Sequence, residues 1–369
     1  MGYLDDKDKE KCYGCGACEK VCPKKCVEMQ EDEEGFLYPE INISNCTNCD
    51  LCRKCCPNKN LFIKKVLLKE PNIYAVLNIQ DKERENSSSG GAFPLFAYEV
   101  LKQKGIIFGA TFNKDFVVIH QEAQNEKEMQ VFRGSKYVQS NLKDTYIKAE
   151  NYLKQNRKVL YTGTPCQIAG LYSYLKQDYE NLYTMDLICH GTPSPKVFKD
   201  YLQYIKKNNT IKEINFRDKS FGWENSKIRI TFEQGVAYIE SKEKDIFYQL
   251  FLKNYILRPS CHECKFTKIN RESDITIGDY WGVNKHKPHM NDGKGTSLVI
   301  VNSKKGKEFF DLIKNNFTFE ECTKNEAMQY NLQNPSIANE NREVFFKFYK
   351  LDGFERATNK VLNIKQSLC

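Results

Sequence analysis

Apolar positions in this chain fall into short runs separated by polar turns, with no long periodic stretch. Residues 1–65 carry no sustained helical or strand period. From Tyr74 the pattern changes. After the polar run Asp81–Ser89, residues Phe93, Phe96, Ala97, Val100 and Leu101 recur at helical spacing, which predicts a helix over Phe93–Lys104 stopped by Gly105. Ile106–Phe112 and Phe116–His120 read as strands and Leu142–Gln155 as a helix. Val159–Thr162 and Tyr183–Ile188 read as buried strands, each followed by a Gly/Pro loop and a helical pattern, Ile168–Lys176 and Val197–Lys207. Further strand-like runs are Ile211–Phe216, Lys227–Phe232, Val236–Ile239, Asp274–Trp281 and Ser297–Val301, with helices at Ile246–Ile256 and Lys304–Asn315. Strand–helix alternation favours an α/β layer. The last fifty or so residues offer no chemical motif.

At 369 residues the chain exceeds what one core usually supports. The expected class is α+β to α/β: an N-terminal unit at 1–65, a mixed α/β region divided into 72–150 and 155–316, and an extension at 317–369. Hydrophobic residues at 40% and charged residues at 28% indicate buried cores under an ordinary polar surface. The net charge of +8 is spread along the chain, so nucleic-acid binding is not expected. No run approaches the roughly 20 apolar residues that span a bilayer, and no signal peptide is visible. No membrane insertion is expected, and the expected compartment is the cytoplasm. Thiols stay reduced there, so clustered cysteines hold metal rather than form disulfides.

That matters because 10 of the 16 cysteines lie within residues 12–56. Cys12, Cys15, Cys18 and Cys22 before Pro23 spell C-x2-C-x2-C-x3-C-P, and Cys46, Cys49, Cys52 and Cys56 before Pro57 repeat it. This is the bacterial two-cluster ferredoxin pattern, in which the fourth cysteine of each run crosses to the other cube. Cys12, Cys15, Cys18 and Cys56 are expected on one [4Fe-4S] cluster, and Cys46, Cys49, Cys52 and Cys22 on the other. Gly14, Gly16 and Ala17 let the loop close around the metal. Paired zinc sites would leave the third cysteine and the trailing C-P without a use. Cys26 and Cys55 exceed the ligand count, the first read as a small apolar residue and the second as a bystander.

Ser87–Gly91 stands directly before a helix, where free amides and the helix dipole can hold a phosphate; a serine cap after a linker explains the same residues. Arg133-Gly134-Ser135-Lys136-Tyr137 supplies cations, a hydroxyl and a ring. Neither a Rossmann fingerprint nor a P-loop occurs. Cys166 and Cys189 each follow a predicted strand, at the same end of a parallel pair. With the later Cys261-x2-Cys264 they make four. They are open to a third iron–sulfur cluster, to Cys166 as nucleophile with His190 as base, or to inert burial. His190 and His262 are equally open to ligand, base or core roles.

In sequence order, the doubled cysteine motif, SSGGAFPLFAYEVL, RGSKYVQS, LYTGTPCQIAGL, DLICHGTPSP, RPSCHECKF and DITIGDYWG resemble the family of coenzyme F420 hydrogenase/dehydrogenase beta subunits over nearly the whole chain. The resemblance implies an FAD-dependent iron–sulfur oxidoreductase. Ser88, Ser89, Gly90 and Gly91 become flavin contacts, with Arg133, Gly134, Ser135, Lys136 and Tyr137, and Thr162, Gly163, Thr164 and Gln167 approach the same cofactor. Cys166, Cys189, Cys261 and Cys264 are assigned to a third [4Fe-4S] cluster. Asp279 and Trp281 line the site. Ferredoxin or another one-electron donor supplies electrons, FAD converts single electrons to pairs, and an organic acceptor is reduced, or oxidised in reverse. Lys136, Tyr137, His190 and Asp279 are the candidate proton donors. Many bacterial relatives accompany surface-polysaccharide genes, which suggests such a role; no deazaflavin signature is readable. The rival expectation is an electron-delivering subunit without its own substrate, docked to a larger redox complex. The oligomeric state is not readable from the sequence.

Overall fold

The computed structural model describes residues 2–62 and 67–362. The expected unit boundary at residue 65 lies outside the described residues. In the N-terminal unit a hairpin of β1 (Val27–Glu31) and β2 (Leu37–Ile41) is flanked by the two cysteine runs, each leading into one helical turn, Ala17–Lys20 and Leu51–Lys54. Gly14 and Gly16 take left-handed backbone, φ 65° and 68°, and Asn48 and Asp50 do so at the same places of the second run, φ 53° and 66°. The repeat in sequence is therefore a repeat in conformation.

The remaining strands are β3 (Leu67–Asn78), β4 (Ile106–Phe112), β5 (Val118–Ala123), β6 (Val159–Gly163), β7 (Leu182–Leu187), β8 (Ile211–Asp218), β9 (Lys227–Phe232), β10 (Ala237–Glu240), β11 (Ile275–Asp279), β12 (Ser297–Ser303) and β13 (Phe317–Glu321). Eight of them form one sheet in the order β13-β3-β12-β11-β7-β6-β4-β5. Its centre, β4-β6-β7-β11, is parallel, and its flanks are antiparallel. Segments 72–150, 155–316 and 317–369 all contribute strands, so those divisions run through the sheet.

One sheet face packs under helices Ala92–Lys102 and Lys304–Ile313, with Phe96, Val100, Phe309 and Phe310 over Ile107, Leu160, Met185 and Val299. The other lies under helices Thr145–Lys154 and Pro165–Leu175, with Tyr146, Ile168 and Leu171 over Phe108, Val159 and Tyr161. Cys15, Ala17 and Cys55 join this second core, so the N-terminal unit is fused to the sheet by packing. At Gly170 a Cβ would stand 2.7 Å from the Cys15 Cβ, so helix Pro165–Leu175 meets that cysteine loop through a glycine. A third layer joins the antiparallel β8–β10 sheet to helices Pro195–Lys206, Ile246–Leu252 and Arg342–Leu362, the last kinked at Gly353 (φ 81°).

The structure departs from the sequence reading in places with local causes. Strand β3 carries Lys69, Glu70 and Pro71, which mask its pattern, while Tyr74–Val76 are buried between β12 and β13. Helix Ile246–Leu252 is shorter than expected because Asn254 turns left-handed (φ 63°). Lys104 (φ 54°), rather than Gly105, makes the turn after helix Ala92–Lys102.

Candidate functional site

Strands β6, β7 and β11 point their carboxyl ends to one edge, the usual place for an α/β site. There a cavity of about 290 Å³ opens. It is lined by Ser88, Ser89 and Gly91, by Arg133–Tyr137, by Thr162, Gly163, Thr164 and Gln167, and by Asp279. Residues as far apart in sequence as Ser88 and Asp279 thus share one wall. The Ser-Gly-Gly turn and the Arg133 loop are joined directly: Ser135 donates its N–H to Ser88 Oγ at 2.8 Å. Gly90 is the exception. Its N–H goes to Ser297 Oγ, and a Cβ there would stand 2.5 Å from the Val76 carbonyl oxygen, so it serves the packing of the turn against β3 and β12 instead of lining the cavity.

The segment Gly163-Thr164-Pro165-Cys166-Gln167 explains how two sites meet. Thr164 and Gln167 form a capping box at the start of helix Pro165–Leu175, with proline in the first turn. This fixes Thr164 and Gln167 toward the cavity, while Cys166 lines a second, smaller one. That second cavity gathers Cys166, Cys189, Cys261 and Cys264, with Tyr13, Thr192 and Arg258. Thr192 lines both cavities and donates its N–H to Cys261 Sγ at 3.3 Å.

A third cavity is lined by Cys12, Cys15, Cys18 and Cys56, the four that the spacing groups together, and also by Cys52 of the other expected set. Tyr13 reaches both this cavity and the Cys166 cavity's wall, sharing the first with Cys12 and Cys15. The other run opens outward at Cys49, which is exposed. Cys26 is buried with its Sγ 3.4 Å from Cys22 Sγ, and Cys55 is buried with its thiol on the Cys52 carbonyl at 3.3 Å. Among the described residues no group of three or more His, Cys, Asp or Glu side chains closes on a single-ion site. The cysteine sets line cavities rather than converge on a point.

Burial pushes the Cys166 thiol up to about 12 and the Cys264 thiol up to about 11. Such thiols are protonated near neutrality and make poor nucleophiles without metal. His190 does not serve Cys166 as a base: its Nε2 lies 2.7 Å from Asn254 Oδ1, and its ring stands edge-on to Phe251. It borders the four-cysteine cavity and is apart from Lys136, Tyr137 and Asp279, which line the larger one. His262 is tied to the Ser336 carbonyl at 2.8 Å. Trp281 lies outside the cavity wall, half exposed and stacked on buried Trp223 at 5.1 Å.

Residues 156–326 match the family model for the C-terminal part of the coenzyme F420 hydrogenase/dehydrogenase beta subunit, and residues 11–60 that of a 4Fe-4S dicluster domain. Residues 156–326 thus belong to the C-terminal family of F420 hydrogenase/dehydrogenase beta subunits, joined in this chain to a 4Fe-4S dicluster domain. An uncharacterized protein of Methanocaldococcus jannaschii is 25% identical over 338 residues, 82% of this chain and 86% of that protein. An F420H2 dehydrogenase subunit of Methanosarcina mazei is 24% identical over 323 residues, 82% of each. A chain of the F420-reducing [NiFe] hydrogenase complex from Methanosarcina barkeri superposes with a TM-score of 0.48 at 16% identity, covering 81% of this chain and 92% of that one. The present chain is an iron–sulfur electron-transfer protein related to F420 hydrogenase/dehydrogenase subunits, with a dicluster domain for two clusters. Among its described residues no helix is long and apolar enough to cross a membrane.

Three further residues line or support these cavities: His120 and Arg217, which lie in no quoted motif, and Arg258, which opens RPSCHECKF but is given no role by the sequence. His120, buried on β5, presents Nε2 to the Thr162 carbonyl at 3.0 Å and Nδ1 to Ser140 Oγ at 2.9 Å. A carbonyl only accepts, so Nε2 carries the proton, and the Ser140 hydroxyl donates to Nδ1 while accepting from Gln167 Nε2 at 2.9 Å. Arg217, buried on β8, donates to Asp279 Oδ2 at 3.0 Å and to the Tyr137 hydroxyl at 3.3 Å. Asp279 also accepts from Trp223 Nε1 at 3.0 Å, which fixes both its oxygens. Arg258, buried, links the N-terminal unit to the four-cysteine cavity.

Proposed function

We propose that this protein is an iron–sulfur flavoprotein oxidoreductase that carries electrons between its dicluster domain and an FAD in the 290 Å³ cavity, with a third [4Fe-4S] cluster on Cys166, Cys189, Cys261 and Cys264. The supporting observation is adjacency. The Thr164–Gln167 turn and Thr192 belong to both the larger cavity and the four-cysteine one, and Tyr13 continues from the latter toward Cys12 and Cys15. The donor set is four thiols, the ligands iron–sulfur cubes use.

The larger cavity fits a flavin nucleotide by its chemistry. Lys136 donates Nζ to the Val131 and Arg133 carbonyls, both at 2.8 Å, and among the described residues no carboxylate pairs with it. Burial pushes its ammonium down to about 7. An anion beside it, with the Ser88 and Ser135 hydroxyls and the turn at Gly134 (φ 76°), would relieve that penalty, and a pyrophosphate is such an anion. Ser88, Ser89, Gly91, Arg133, Gly134, Ser135 and Lys136 would hold the nucleotide, with Thr162, Gly163, Thr164 and Gln167 on the side of the cysteines. A flavin bound there supplies the exchange of one electron for two that clusters alone do not. Tyr137 and Asp279, oriented by Arg217, line the same cavity and would be the groups to handle a proton for an organic acceptor bound there.

A second reading, a subunit that delivers electrons without an acceptor of its own, draws support from the relative named as part of a dehydrogenase. One experiment separates the parts. Anaerobically purified protein is expected to contain about twelve irons and to release flavin on denaturation, and Cys261→Ser with Cys264→Ser to lower iron to about eight. Eight irons in both proteins would remove the third cluster, and absence of flavin would remove the oxidoreductase reading in favour of the carrier. The acceptor question is then decided by turnover of the isolated protein with reduced ferredoxin and a panel of small acceptors.

A further inference from the structure

Arg258 is a guanidinium buried without a counter-ion. It is 1% exposed, and among the described residues it forms no ion pair with a carboxylate. Its three bonds go to neutral acceptors: Nε to the Cys12 carbonyl at 2.6 Å, Nη2 to the Leu37 carbonyl at 2.9 Å and Nη1 to Gln139 Oε1 at 3.1 Å. Tyr38 lies across its plane at 4.2 Å. A charge removed from water in this way is costly unless opposite charge is close.

Its position says where that charge resides. On one side Arg258 holds the backbone of Cys12, in the wall of the Cys12-Cys15-Cys18-Cys56 cavity. On the other it lines the cavity of Cys166, Cys189, Cys261 and Cys264. Gly14 marks how close the approach is: a Cβ there would stand 2.8 Å from Arg258 Nη1. Four thiolates outweigh the charge of the iron–sulfur core they hold, and each one-electron reduction adds a negative charge.

We infer that Arg258 is the shared counter-charge of two neighbouring iron–sulfur clusters, one on Cys12, Cys15, Cys18 and Cys56 and one on Cys166, Cys189, Cys261 and Cys264, and that it raises the reduction potential of both. This rests on the third cluster of the reading above. A cation beside a site stabilises its more negative, reduced form, and it does so most where water is excluded. The cluster on Cys22, Cys46, Cys49 and Cys52 has no contact with Arg258 and serves as an internal reference.

The test is a redox titration of anaerobically purified full-length protein, following the paramagnetic signals of each reduced cluster, after iron has been counted in every sample. In Arg258→Gln, with iron equal to wild type, both neighbouring potentials are expected to fall by at least a tenfold change in the reduction constant, about 59 mV for one electron. The reference cluster should hold its value, and Arg258→Lys should stay near wild type for all three. If Arg258→Gln does not take up iron, Gln139→Glu carries the test, since it leaves the guanidinium in place and pairs it with a carboxylate; the same two potentials should fall. Unchanged potentials, or equal shifts in the Lys and Gln variants, overturn the assignment. A wild-type count of about eight irons instead defeats the third cluster itself and is read before any variant is made.

Discussion

Ser135 gives its backbone N–H to Ser88 Oγ at 2.8 Å, and the two hydroxyls stand 2.9 Å apart across 47 residues of chain. This bond locks the turn before helix Ala92–Lys102 to the Arg133–Tyr137 loop, so one side chain sets the spacing of both sides of the proposed nucleotide site. Ser88→Ala removes the acceptor and leaves the Ser135 amide to the cavity. The expected loss is about 1 kcal/mol, roughly fivefold in flavin affinity, with little change in melting temperature. Fluorescence of flavin released on denaturation, measured against protein concentration, checks it; retention equal to wild type under dilution would show that the bond does not serve the cofactor.

Gly14 and Gly16 share a left-handed backbone but not surroundings. A Cβ at Gly14 would stand 2.6 Å from Gln139 Nε2 and 2.8 Å from Arg258 Nη1, whereas nothing lies within 4 Å at Gly16. Gly16→Ala should cost only the backbone term, about 1 kcal/mol. Gly14→Ala should cost more, at least about 2 kcal/mol, and loosen the N-terminal unit from the sheet. Denaturant midpoints and the rate of limited proteolysis compare the two. Equal costs would mean that the close approach yields without effort.

The parts of this architecture that were legible from sequence are those set by local pattern. Ile106–Phe112 and Lys227–Phe232 have the expected bounds because uninterrupted apolar or alternating runs end at turn residues. Cys56, which the spacing groups with Cys12, Cys15 and Cys18, lines one cavity with them, but so does Cys52 of the other expected set. Strand β13 was hidden in a segment read as an extension, since Phe317–Glu321 is a strand only by pairing with β3, itself masked by charge and proline. Residue type and placement along the chain put His190 among the candidate proton donors, whereas packing against Phe251 and Asn254 leaves it at the four-cysteine cavity. Arg258 and Arg217 belong to no motif of spacing. Their partners Cys12 and Asp279 are 246 and 62 residues away, and such contacts exist only once the layers close.

Asp279 neutralises buried Arg217 and satisfies the Trp223 indole, so its removal leaves a charge and a donor without partners. Asp279→Ala is expected to destabilise the protein by about 3–5 kcal/mol, the usual cost of breaking a buried pair from one side. Tyr137→Phe, which loses only a 3.3 Å contact to the same arginine, should cost about 1 kcal/mol. Combining Asp279→Ala with Arg217→Met should recover much of the loss, because the orphaned charge goes too. Chemical denaturation of the four proteins tests this, and a double variant no more stable than Asp279→Ala would contradict it.

Two groups in the cavity wall make acid and base behaviour diagnostic. Burial pulls the His120 imidazole down to about 4, against about 6.5 when unfolded, and pushes Lys136 down to about 7 from an ordinary value of 10.5. In both windows the unfolded chain binds a proton that the native one declines, so stability rises with pH. For His120 the contribution is complete above pH 6.5 and is lost as pH falls through 4; a fully neutral buried imidazole accounts for up to about 3 kcal/mol. His120→Asn should flatten the stability profile between pH 4 and 6.5. For Lys136 the rise lies between pH 7 and 10.5, and Lys136→Met should abolish it. A bound pyrophosphate reverses the preference by holding the ammonium charged, so flavin-loaded protein should show a weaker slope above pH 7 than flavin-free protein, while the His120 window stays the same in both. Denaturant midpoints across pH, with and without flavin, separate these outcomes, and an identical slope above pH 7 in the two forms would place the anion somewhere other than beside Lys136.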